Sequence, residues 1–166
     1  MSLAASTTNI GLILSYLLPL HLISSTYPSQ SHLKQYPQLY ELYAPLFTAV
    51  HSGNLQLFDS HVAEYSPVFL RRRVYLAIER SRQCCLRTLF QRTATLYTGT
   101  RIPVEAFQNA LQVCGYHADR EETECLVANM IYRGWMKGYI SRERGMVVLS
   151  AKEGFPKTGN IAWVKQ

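Results

Sequence analysis

Conventional catalytic chemistry has few places to sit in this chain. Cys114-Gly-Tyr-His117 has the spacing of half a metal site, but no second half follows, and His21, His32, His51 and His61 show no ligand spacing. A structural zinc site needs four such ligands, so Cys114 and His117 read as structural residues. Cys84 and Cys85 are adjacent, and on a helix their side chains diverge by about 100°. With Cys114 and Cys125 they form no disulfide framework, which predicts a reduced, intracellular compartment. Serine, histidine and acidic residues occur in neither a nucleophile elbow nor an HExxH helix. The nine glycines are scattered as helix stops and corners instead of forming a phosphate loop. The sequence therefore predicts no catalytic residues, no metal, no cofactor and no enzyme activity.

Charge is more informative. Residues 1–70 set Lys34 against Glu41, Asp59 and Glu64, a balance of −2, whereas residues 71–166 carry a balance of +8. A basic second half suits nucleic acid or an acidic protein, or is simply a solvated surface. Two groups stand out. Arg73, Arg80 and Arg87 recur every seven residues, opposite an apolar stripe of Val74, Ile78, Cys85, Leu89 and Leu96. They read as a rail for an acidic partner segment or as a solvent face, with Arg71, Arg72 and Arg82 broadening the basic surface. Further on, Arg120, Arg133, Lys137, Arg142 and Arg144 spread over a helix and a hairpin and could reach phosphate without reading bases. Trp135 could stack on an unpaired base or fill the core, and Tyr139 reads as core.

The elements that must position these residues follow from caps and periodicity. Asp119 with Glu122 has the capping-box spacing, and Glu121, Glu122 and Glu124 suit the positive end of a helix. Leu126, Val127, Met130 and Ile131 give that helix an apolar face, and Gly134 stops it. Tyr139-Ile140 and Met146 to Leu149 predict two short strands joined by the polar turn 141–145. A helix from Ile102-Pro103 to Gly115 precedes them, and a first strand is reduced to a few residues near 100–103. The order is that of a winged helix. Met146 and Val148, with Tyr139, are expected to meet a partner by edge-strand pairing. The acidic helix start opposes insertion of that helix into a major groove.

Upstream, Tyr40 to His51 and Leu55 to Tyr65 flank a Ser52-Gly53-Asn54 corner and predict an αα-hairpin, the unit of helical repeats. Ser66-Pro67 is expected to start the longest helix, running to about Tyr97. Ile10 to Ile23 is apolar but lacks the basic residues before it that a secretory signal needs, and is too short to span a bilayer. It predicts a helix buried on most sides and bent or ended at Pro19, with neighbouring repeats expected before it. The domain reading is 1–98 helical-repeat part, 99–152 winged helix and 153–166 tail.

Several segments resemble the PCI-domain family. These are Leu12 to Pro19, Ala49 to Leu55, Leu57-Phe-Asp59, Phe69 to Leu76, Glu124 to Tyr132, Lys137 to Ser141 and Val147 to Ser150, followed by Phe155-Pro156. The similarity is to the branch that holds PCI-domain-containing protein 2, the PCI subunit of the TREX-2 mRNA-export complex and the signalosome subunit 12-like proteins. The resemblance implies a mainly α fold, helical repeats followed by a winged helix, and a non-enzymatic nuclear scaffold. It implies as partners a large PCI subunit of the Sac/GANP type, a small acidic Dss/Sem-type protein and RNA or DNA. A signalosome-like protein tied to splicing or transcription is the alternative, and a free-standing winged-helix DNA-binding protein is another.

Overall fold

The computed structural model describes residues 3–26 and 28–157, with side chains from residue 9 onward except that of Gln30. Residues 158–166 of the expected tail lie outside the described residues. The chain divides into two compact units, 1–85 and 86–166.

The first unit is helical. α1 spans Leu3–Ser24, α2 Gln30–Leu33, α3 Pro37–Ser52, α4 Leu55–Arg71, and α5, Tyr75–Thr95, contributes its first half. α1 does not end at Pro19 but runs through it. Proline cannot donate to the carbonyl four residues back, that of Ser15. The Tyr43 hydroxyl of α3 donates to that carbonyl instead, at 3.1 Å. Tyr43 is fully buried, and burial pushes its pKa up to about 12 against the opposing effect of Arg72. Nor is α1 buried on most sides. Ser15, Leu18 and Leu22 are inside, while Ile10, Ile13, Leu17 and Leu20 form an exposed seam in this chain, Ile13 at 63%.

The αα-hairpin forms as expected. Gly53 closes α3 in the left-handed region (φ 76), and Asn54 caps α4 by accepting from the Leu57 N–H at 3.0 Å. No helix starts at Ser66-Pro67, however, because α4 continues through it. The Ser66 hydroxyl donates to the Ala63 carbonyl at 3.0 Å, the acceptor that Pro67 leaves unserved. The break falls instead at residues 72–74. Arg73 is left-handed (φ 58), its N–H meets the Leu70 carbonyl, and the Val74 N–H meets that of Phe69. This is a Schellman end, with buried Phe69 and Val74 as its apolar pair. The Cys84 and Cys85 thiols donate to the carbonyls of Ile23 and Ala49.

The second unit contains the end of α5, then β1 (Arg101–Pro103), α6 (Val104–Val113), α7 (Arg120–Tyr132), β2 (Gly138–Ser141) and β3 (Met146–Leu149). The strands form an antiparallel sheet in the order β1-β3-β2. This is the expected winged-helix order, short first strand included. Ile102, Val147 and Ile140 lie side by side across the sheet. Ile102 and Val147 are fully buried, in a core that also holds Phe90 edge-on to Phe107 at 5.0 Å. Among the described residues no helix is long and apolar enough to cross a membrane.

Candidate interaction surface of the winged-helix unit

The wing is held to α7 by charge. Asp119 caps α7 by accepting from the Glu122 N–H at 2.7 Å. One turn further, Glu124 is turned inward as a buried carboxylate. Arg142 of the wing donates to it at 3.0 Å, and Arg120 at 3.3 Å. The Arg142 hydrogen bond, foremost, holds the Glu124 pKa below its ordinary value although burial works the other way. The turn that brings Arg142 there depends on Gly145. Its φ of 61° suits glycine, and an added Cβ would lie 2.6 Å from the Arg120 guanidinium.

These contacts redistribute the residues expected to bind nucleic acid. Arg120 and Arg142 neutralise Glu124, so a phosphate would have to compete with that carboxylate. Lys137 pairs with Glu153 at 2.6 Å. Trp135 is only 3% exposed. It follows Gly134 in a second Schellman end, where its N–H meets the carbonyl of buried Met130. An apolar residue directly after the stop glycine was the signal for that burial. Arg133 and Arg144 remain exposed and make no ion pair among the described residues.

The aromatic assignment reverses for Tyr139, expected in the core but 62% exposed. The register explains it. Tyr139 pairs with Val148, and Val148 with Arg101, so these three form the solvent row behind the inward Ile102–Val147–Ile140 row, in which Ile140 is half-buried. Arg101 was missed because only the pairing of β1 and β2 with β3 puts it in a row with Tyr139. Edge pairing through Met146 to Leu149 is also corrected. β3 is the central strand, occupied on both sides, and the sheet's edges are β1 and β2. Met146 and Val148 are half-buried within it.

The arginine rail is not one helical stripe. Arg73 sits in the break before α5 and is exposed, as is Arg80 on the helix. Arg87 is engaged by the segment after β3. Its guanidinium donates to the carbonyls of Pro156 at 2.7 Å and Phe155 at 3.3 Å, and lies 5.8 Å from the Phe155 ring centroid. Among the described residues no three His, Cys, Asp or Glu side chains are grouped to hold a metal ion.

Comparison with known proteins matches residues 62–151 to the PCI domain. The chain is 43% identical to the Protein CSN12 homolog of Gibberella zeae, over 89% of this chain and 36% of that protein. It is 41% identical to the Protein CSN12 homolog of Schizosaccharomyces pombe, over 90% and 36%. It is 32% identical to the PCI domain-containing protein 2 of Danio rerio, over 93% and 38%. The chain thus spans well under half the length of these relatives. With more than half its residues matched to the PCI domain, and that stretch including the complete β1-β3-β2 winged-helix sheet, the chain belongs to the PCI-domain family.

Proposed function

We propose that the chain is a non-enzymatic scaffold subunit whose winged-helix unit docks a larger PCI subunit of the Sac/GANP type. The observation that carries this reading is the solvent row Arg101, Val148 and Tyr139 beside the outer edge of β2, which pairs with no further strand among the described residues. An exposed tyrosine next to a free strand edge suits a partner strand, with main-chain hydrogen bonds for affinity and the ring as anchor. In this reading a small acidic Dss/Sem-type protein clasps the exposed Arg73 and Arg80. RNA or DNA lies along Arg101, Arg133 and Arg144 beside the docked partner, held by phosphate contacts and without sequence selectivity. The setting is nuclear, in an mRNA-export complex of the TREX-2 type. A second reading, a signalosome subunit 12-like protein linked to splicing or transcription, is favoured by identity: 36 to 43% to four CSN12 homologs against 31 to 34% to four relatives named for PCI domain-containing protein 2.

The test is affinity purification of the chain and its Tyr139→Glu variant from its own cell. The wild type should recover a large PCI subunit, whose neighbours also separate the two settings. The variant should recover at least about tenfold less, the effect of losing an interface anchor. Equal recovery overturns the docking surface. Arg133→Glu with Arg144→Glu should retain the protein partner and weaken RNA binding most at low salt.

A further inference from the structure

The first unit holds a cleft of about 560 Å³ that the scaffold role does not use. Its walls come from α1 (Gly11, Leu12, Ser15, Tyr16), from the turn into α3 (Gln35 to Leu39) and from Arg72 at the end of α4. The volume is that of a small-molecule site. Arg72 is half-buried, and among the described residues its guanidinium makes no hydrogen bond or ion pair, while its backbone N–H meets the Val68 carbonyl. Its charge acts on the buried Tyr43 hydroxyl. Residues 1–40 contain no Asp or Glu, so the walls facing Arg72 have no carboxylate to offer. A guanidinium partly withdrawn from water without a counter-ion is costly unless an anion completes it. The left-handed backbone of Arg73, strained for a side chain other than glycine, belongs to the turn that sets Arg72 in this wall.

The remaining walls suit a planar group. The ring of Tyr36 lies over Gly11, where an added Cβ would already touch it at 3.7 Å, and Tyr16 is exposed at the rim. Gln35 and Gln38 bring amide donors and acceptors. We propose that this cleft binds a nucleoside monophosphate group, its phosphate on Arg72, its base against Tyr16 and Tyr36, and the base edge met by the glutamine amides. The group arrives either as a free nucleotide or as the phosphorylated end of an RNA strand. The site lies wholly within residues 11–72 and is independent of the winged-helix surface.

Binding of AMP, adenosine and inorganic phosphate to the full chain by calorimetry or ligand-observed NMR tests this. AMP should bind at about millimolar affinity or better, with adenosine and phosphate each about tenfold weaker. Arg72→Gln should weaken AMP about tenfold, whereas the exposed neighbour Arg71→Gln should stay within about twofold. Tyr16→Ala, at an exposed position, gives a second reading: it should weaken AMP and leave phosphate unchanged. A short 5′-phosphorylated RNA that binds more tightly than AMP identifies a strand end, and equal or weaker binding identifies free nucleotide. Absence of AMP binding at about 10 mM, equal effects of Arg72→Gln and Arg71→Gln, or displacement of AMP by an acidic peptide at equal concentration overturns the proposal.

Discussion

Residues 1–85 and 86–157 solve the same problem, unserved backbone polar groups, with different chemistry. In the first unit, helices pass through Pro19 and Pro67, and neutral donors take over the orphaned carbonyls: the Tyr43 hydroxyl at Ser15 and the Ser66 hydroxyl at Ala63. In the second, ionised groups do comparable work. The Asp119 carboxylate caps α7 and Arg87 gathers the carbonyls of Phe155 and Pro156, while the Glu124 carboxylate meets side chains and ties the wing to that helix. The first unit also holds an ionised pair, Arg82 with Asp59 at 2.8 Å, but between side chains. The difference teaches that the two units should fail at opposite ends of the pH scale.

The largest expected effect is alkaline. Tyr43 has a folded pKa of about 12 against 10.0 for an ordinary tyrosine. A raised folded pKa means that its contribution is complete below pH 10 and is lost as the pH climbs through 12. About 2–3 kcal/mol should disappear over that window. Urea midpoints followed by helical circular dichroism should show this loss, and Tyr43→Phe should remove most of it, leaving the smaller share of Tyr65, while lowering stability by about 1–3 kcal/mol at neutral pH. A variant with unchanged alkaline behaviour would break the contrast.

Next in size is the wing. Glu124 has a depressed pKa, caused first by Arg142, so its contribution is present above the ordinary glutamate value of 4.5 and is lost as the pH falls through its lower folded value. Glu124→Gln should cost about 1–2 kcal/mol and should speed amide exchange across 138–149 without touching 37–71. Smallest is the cap. Asp119→Ala should cost about 1 kcal/mol, seen as a lowered denaturation midpoint, and should raise exchange only in the first turn of α7.

The second unit was the more legible in sequence, because its signals are local. Asp119 and Glu122 mark a helix start three residues apart, Gly134 and Gly145 mark turns that need positive φ, and Met146 to Leu149 is a run of strand formers. What stayed hidden there depends on distant partners. Glu124 looked like one more dipole-matching charge, yet its partner Arg142 lies eighteen residues away. Tyr139 turned outward because only the register, Tyr139 opposite Val148, decides which face it takes. In the first unit the hairpin corner at Gly53 was readable, but the helix break was not. Proline rules placed it at Ser66-Pro67, and the Ser66 hydroxyl removed the need for it. The real break at Arg73 carries no glycine to announce it. The cleft beside Arg72 escaped for the same reason, since its walls are gathered from residues 11 to 72.

The Tyr43 hydroxyl on the Ser15 carbonyl has a consequence for heredity. Pro19 and Tyr43, twenty-four positions apart in the sequence, behave as one locus. Loss of the hydroxyl harms a chain that keeps Pro19 and becomes tolerable once a residue with an N–H restores the helical bond. Drift at these two sites should therefore be ordered, with the proline replaced first and the tyrosine released afterwards.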